Sequence, residues 1–224
     1  MLFRSSTPAQ TTASMPGMAA PAASEGAYAT PSFAGLAPAN ADSLAAAHSA
    51  VPAELPATTA GPVVNVHLGI SHKVLQIAPG ISYDAWTFDG GVPGPVIHAR
   101  QGQTVRVTLT NNAPMPHSVD FHAAQVAPNE DFVDVMPGKS LTFSFKASVP
   151  GVFMYHCGTK PVLAHIANGM YGAIVVDPAD TKLLPPSHHA YVLVSGEWYL
   201  NAPGLDGKPA ALDMVKAHQM TPTG

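Results

Sequence analysis

Residues 64–70 read VNVHLGI, and this short stretch decides the fold class. Val64, Val66, Leu68 and Ile70 alternate with Asn65, His67 and Gly69. Successive side chains of a strand point to opposite faces, so a period of two predicts a strand with one buried face.

The same period recurs along the chain. It is found in TVRVTLTN (104–111) and SLTFSFK (140–146), while Ala173 to Val176 form a short continuous apolar run. Turn-forming pairs such as Asn111-Asn112 and Pro150-Gly151 separate these runs. Short strands at this spacing, with no convincing long helix, predict an all-β fold, an antiparallel Greek-key sandwich or barrel.

Composition sets the domain limits. Residues 1–60 are rich in Ala, Pro, Ser and Thr and predict a disordered leader or tether. Residues 61–180 are predicted to form the β domain. Residues 181–224 are predicted to be a connector, with a strand-like run YVLVSGEWYL (191–200) followed by a polar tail without a core of its own.

Charge and hydropathy exclude several classes of protein. The net charge is −4, with 10 Lys and Arg and no basic cluster, which argues against a nucleic-acid partner. No run of 18 apolar residues occurs, and the first residues lack the apolar stretch of a convincing signal peptide. Cys157 is the single cysteine, so an intrachain disulfide is excluded.

One set of residues predicts a metal centre around Cys157. The stretch Gly151 to Cys157 alternates like a strand, so His156 and Cys157 should point to opposite faces. If His117 joins Cys157 on the inner side, His165 and Met170, in the predicted loop CGTKPVLAHIANGM (157–170), can close over the same point. Two imidazoles, a thiolate and a weak thioether favour copper and one-electron transfer. Taken singly, a buried Cys or Met is equally compatible with core packing.

A second set is predicted on the outer side. His122 lies five residues after His117, and an odd offset in an extended chain places the two on opposite faces. His122 would then meet His156, with Asp120 on the same face. Two imidazoles and a carboxylate form an open metal site with an acid/base group beside it. Most of the other histidines are expected at the surface: His67, His72, His98, His188, His189 and His218.

These motifs resemble a known family. HSVDFH (117–122), YHC (155–157) and HIANGMYG (165–172) are similar to the N-terminal cupredoxin domain of copper-containing nitrite reductases, and TFDGGVPGPVIHARQGQTVRVTLTN (87–111) looks like the opening shared with multicopper oxidases. The resemblance covers about residues 61–200. It implies a cupredoxin fold. It implies these site residues: type 1 copper on His117, Cys157, His165 and Met170; type 2 copper on His122 and His156; and proton handling at nitrite by Asp120.

The resemblance also implies partners and a location. Such enzymes are homotrimers that receive electrons from a small cupredoxin or cytochrome c and work in the periplasm. A neighbouring subunit's second domain supplies the third type 2 ligand, and residues 181–224 would lead to such a domain, which this chain lacks. Two alternatives stay open: a laccase-like multicopper oxidase, and a single-domain electron carrier if the chain truly ends at Gly224. The laccase alternative lacks the expected His-x-His pairs.

Overall fold

The computed structural model of the chain describes residues 52–78, 81–125, 133–184, 187–201 and 209–223. Residues 1–51 of the predicted leader lie outside this part. Residues 52–60, by contrast, are hydrogen-bonded to the domain: Leu55 N–H donates to Ala190 O at 2.8 Å, and His98 Nδ1 lies 2.6 Å from Pro56 O. The ordered domain therefore begins upstream of residue 61.

Within the described residues, eight strands form two four-stranded sheets. The first sheet has the order β2-β1-β4-β6, with the bounds β1 Val63–Ala78, β2 Ile81–Phe88, β4 Thr104–Asn111 and β6 Ser140–Lys146. The second has the order β3-β8-β7-β5, with the bounds β3 Ile97–Arg100, β5 Asp120–Phe121, β7 Gly151–His156 and β8 Tyr171–Asp177. The predicted all-β, cupredoxin-type sandwich is confirmed.

The core lies between the sheets, where the period-two pattern places it. In β1 and β4 the buried positions alternate and pair in register, with Val64 opposite Val105 and Val66 opposite Val107. Ile174 and Tyr155 of the second sheet belong to the same buried cluster. The apolar face of each strand is thus covered by the other sheet, which provides the main stabilisation of the sandwich.

The strand directions differ from the prediction. Strand β1 pairs with β4 in parallel, and β3 pairs with β8 in parallel, whereas the other ladders are antiparallel. Both sheets are therefore mixed. The two parallel pairs join strands that are distant in the chain, as parallel pairing requires, because a hairpin can connect only antiparallel strands.

The helices in the described part are short: α1 spans Val162–Ala167, α2 spans Met214–Gln219, and single 3-10 turns cover His122–Ala124 and Thr181–Leu183. Within that part, none of these helices has the length and apolarity needed to cross a membrane.

The C-terminal segment also differs from the prediction. Residues 191–200 form no strand and make only isolated bridges at Tyr191 and Leu200. The tail buries Tyr199, Leu200, Ala210 and Ala217, packed on β2 and α1, so it is not without a core. The polar composition of the tail did not predict these buried residues, because each of them packs against a partner far away in the chain.

Candidate metal centres

The end of β7 positions both predicted sites. Strand β5 pairs antiparallel with β7, which places Asp120 opposite His156. Cys157 follows directly, and its N–H donates to Met170 O at 3.0 Å, which ties the strand end to the segment after α1. Residues as far as 36 positions apart in the chain, Asp120 and His156, therefore meet at one strand end.

The inner cluster joins His117, Cys157 and His165. Their potential ligand atoms converge: His117 Nδ1 lies 3.0 Å from His165 Nδ1, and Cys157 Sγ lies 3.2 Å from His165 Nδ1 and 3.9 Å from His117 Nδ1. All three side chains are fully buried, as is Met170. His165 lies on α1, a helix in a segment for which the sequence predicted only a loop.

A hydrogen-bond network surrounds the Cys157 sulfur. The Ser118 N–H points at Sγ at 3.4 Å, and the Ser118 hydroxyl accepts from the Gly158 N–H at 3.1 Å. The Thr159 hydroxyl lies 3.1 Å from that of Ser118 and donates to Asp134 at 2.7 Å. An amide donor beside the sulfur stabilises a thiolate, which is the metal-binding form of cysteine.

Burial keeps the imidazoles of this cluster neutral. Desolvation, together with the neighbouring His165 and His72, lowers the pKa of His117 to about 3. Desolvation also lowers the pKa of His165, although Asp134 opposes the effect. A neutral imidazole has the free lone pair that a metal requires.

The outer cluster joins Asp120, His122 and His156. His122 Nε2 lies 3.0 Å from His156 Nε2, and Asp120 Oδ2 lies 3.4 Å and 3.7 Å from these two nitrogens. His156 Nδ1 lies 3.0 Å from Cys157 O, so its N–H donates there and leaves Nε2 free. The His122 side chain is 45% exposed, so this cluster opens to solvent.

The two clusters lie back to back across the His156-Cys157 peptide, as strand parity predicts. The route on the other strand differs from the prediction: β5 contains only Asp120 and Phe121, and His122 begins a 3-10 turn. The change of direction, rather than a continuous extended chain, brings His122 to His156.

Two histidines predicted to be surface residues are not. The His98 side chain is 9% exposed and lies 2.9 Å from Asp177, and His72 is half-buried with its Nε2 3.1 Å from His117 Nε2. The remaining four in that group are exposed as predicted: His67, His188, His189 and His218. Position 72 continues the even-numbered buried positions of β1, so the period of two contained a signal for His72.

The donor chemistry of both clusters fits copper. A buried cysteine sulfur and two imidazoles suit a soft, one-electron metal, and the buried Met170, whose backbone is hydrogen-bonded to Cys157, is the candidate thioether ligand. The open imidazole-carboxylate set suits a metal with free coordination positions. A two-sheet sandwich with such a set defines a cupredoxin-type copper protein.

The chain belongs to the multicopper oxidase family, whose sequence profile matches residues 70–181, half of the chain. Among curated relatives, the copper-containing nitrite reductase of Neisseria gonorrhoeae is 41% identical over 161 residues, which cover 70% of this chain and 41% of that protein. That of Rhizobium sullae is 43% identical over 123 residues, 53% of this chain and 33% of the relative.

A solved structure agrees with these matches. The copper nitrite reductase of Nitrosomonas europaea superposes with a TM-score of 0.62 and 42% identity, covering 71% of this chain and 54% of that one. The predicted resemblance to copper nitrite reductases is confirmed, and so is copper as the cofactor. The chain spans about two fifths of the length of the Neisseria relative.

Proposed function

We propose that the chain belongs to an enzyme that reduces nitrite to nitric oxide at two coupled copper centres. The observation that carries this proposal is the adjacency of His156 and Cys157, each of which lies in a different cluster. One peptide unit then links an electron-accepting site to a substrate site.

In this proposal the inner cluster is the type 1 centre, with His117, Cys157, His165 and Met170 as ligands. Full burial of these side chains excludes water and substrate. Such a centre has no open position for chemistry, so its role is to relay electrons through Cys157 to His156.

The outer cluster is the type 2 site, with His122 and His156 as ligands. Copper bound there would supply a Lewis acid for nitrite and pass on one electron. Reduction of nitrite to nitric oxide and water consumes one electron and two protons. Asp120 Oδ2, within 3.7 Å of both ligand nitrogens, is placed to hold and deliver a proton beside the substrate.

In this proposal the type 2 site is shared between neighbouring subunits. Among the described residues this cluster contains two imidazoles, and His122 is exposed, which leaves room for a third ligand from a neighbouring subunit of a homotrimer. Met154 and Val152 are exposed on β7, the strand that ends at His156, and supply apolar surface for that contact. We place the enzyme in the periplasm, with a small cupredoxin or cytochrome c as electron donor.

The test is nitrite reduction by copper-loaded protein expressed from its complete reading frame. Cys157→Ser should abolish the visible thiolate-to-copper absorption and nitric oxide formation together. Asp120→Asn should retain the absorption and slow nitric oxide formation about 10²-fold or more, the usual contribution of a general acid. His218→Asn, at an exposed histidine, is the control and should change neither.

Absence of nitric oxide with both copper sites loaded would refute the proposed activity. Oxidation of a phenolic dye with oxygen consumption would instead favour the laccase-like alternative. That alternative has less support, because the curated relatives are nitrite reductases and Cys157 is followed by Gly158.

A further inference from the structure

His72 contacts the inner cluster from outside its ligand set. Its Nε2 lies 3.1 Å from Nε2 of His117, the ring nitrogen that faces away from Cys157. The two residues are 45 positions apart, with His72 in β1 of the first sheet and His117 just before β5 of the second, so the contact depends on the tertiary fold. A donor–acceptor pair at this distance is a hydrogen bond.

The hydrogen bond determines which His117 nitrogen is free. Nδ1 of His117 faces His165 and Cys157, so it is the nitrogen that a shared metal would use. A neutral imidazole with a free lone pair on Nδ1 carries its hydrogen on Nε2. His117 Nε2–H therefore donates to His72 Nε2, and His72 carries its own hydrogen on Nδ1.

Packing fixes the orientation of His72. Its ring stacks on Trp86, with the ring centroids 4.9 Å apart and the planes 5° from parallel. Trp86 also meets His117 and His165 edge-on, at 5.5 Å and 4.9 Å. The stacked pair thus restrains rotation of both ligand imidazoles, so the acceptor is presented in one geometry.

We propose that His72 is a positioning residue for the type 1 copper centre: it accepts the His117 hydrogen bond and, held by Trp86, fixes the tautomer and orientation of that ligand. The proposal rests on the copper centre in the proposed function but not on nitrite as its substrate. His72 does not touch the metal or the reacting atoms in this scheme.

Loss of the hydrogen-bond acceptor should change the Cu(II) affinity and the reduction potential of the centre. An acceptor behind a ligating imidazole raises its basicity, and removal of such a partner weakens metal binding about 10-fold or more. Basicity favours Cu(II) over Cu(I). If Cu(II) affinity falls about tenfold and Cu(I) affinity is unchanged, the reduction potential rises by about 59 mV.

Three variants of the chain separate the hydrogen bond from the packing. His72→Phe keeps a flat ring on Trp86 but removes the acceptor, and His72→Gln restores an acceptor oxygen without a ring. His67→Phe is the matched control, because it makes the same substitution at an exposed position of the same strand. Copper-free proteins are titrated with Cu(II), and the potential and the paramagnetic resonance spectrum of the thiolate-bound copper are then recorded.

We expect His72→Phe to weaken Cu(II) binding about 10-fold and to raise the potential, with His72→Gln close to wild type and His67→Phe unchanged. His72→Phe indistinguishable from His67→Phe would overturn the proposal. A shift in His72→Gln as large as that in His72→Phe would also overturn it, because restoring the hydrogen-bond acceptor would then restore neither the Cu(II) affinity nor the potential. Circular dichroism of each copper-free variant checks the fold, and His72→Gln decides the case if His72→Phe is unstable.

The same measurements distinguish the two levels of inference. A wild-type chain that forms no thiolate-bound copper centre would refute the copper assignment, and this inference with it. A wild-type chain that forms the centre but reduces no nitrite would refute the proposed activity and leave the His72 result standing.

Discussion

The copper-free protein should lose stability as the pH falls from 7.5 to 5.5, with His117 as a principal cause. Burial beside two other imidazoles lowers the pKa of His117 to about 3 in the folded chain, whereas an unfolded histidine titrates near 6.5. Between these values the unfolded chain binds a proton that the folded chain does not. The free energy of unfolding therefore falls with falling pH.

The magnitude follows from the two pKa values. At pH 5.5, one unit below the unfolded value, His117 alone destabilises the folded chain by about 1.4 kcal/mol, and at pH 4.5 by about 2.7 kcal/mol. At pH 7.5 the same effect is roughly 0.1 kcal/mol. The lowered pKa values of His165 and His72 act in the same direction, so the total loss should exceed the loss from His117 alone.

The assay is urea unfolding of the metal-free chain at pH 7.5 and pH 5.5, for wild type and for His117→Gln. Removing the buried imidazole should reduce the loss between pH 7.5 and pH 5.5 by about 1.3 kcal/mol, whatever the absolute stability of the variant. His67→Gln, at an exposed histidine, is the control and should retain the wild-type loss. An equal acid-induced loss in His117→Gln and wild type would refute the reasoning.

Two further substitutions test the supports of the inner cluster. Asn111 is fully buried, and its Nδ2 donates to the carbonyls of Met115 and Val135 at 2.8 Å and 2.7 Å; Asn111→Ala should therefore cost about 2–3 kcal/mol in thermal or urea unfolding, whereas Asn112→Ala, at an exposed neighbour, should cost almost nothing. A small effect of Asn111→Ala would show that the segments at Met115 and Val135 do not depend on the Asn111 amide. The buried Tyr155 hydroxyl donates to Pro95 O at 2.7 Å, so Tyr155→Phe should cost about 1 kcal/mol against a near-zero effect of Tyr191→Phe at an exposed tyrosine, and equal effects of the two would contradict a role for this bond.

Much of the site could be predicted because its determinants are local. The alternation around Cys157 separates it from His156, and the order of His, Cys, His and Met along the chain matches a one-electron copper site. The structure brings His117, Cys157 and His165 together as predicted, and it brings Asp120, His122 and His156 together as well. The separation into two sets follows from strand parity alone, whereas the meeting of the members of each set depends on strand pairing such as that of β5 with β7.

Other features depend on pairings that no local pattern contains. The parallel pairing of β1 with β4 joins residues about 40 positions apart, and period two is the same for parallel and antiparallel neighbours. The helical turn that carries His165 was predicted as a loop, because the seven residues between Pro161 and Gly169 are too few for a helical period to show.

The sequence by itself determined the all-β class, the alternation that separates the two clusters and the residue types that suit copper, because strand parity and ligand chemistry are properties of neighbouring residues. Tertiary structure alone decided the mixed sheets, the packing of residues 191–201 and 209–223 on β2 and α1, and the contact of His72 with His117. The physical reason is that these contacts join distant segments, and the free energy that selects them comes from the burial of complementary surfaces that exist only once the sheets have formed.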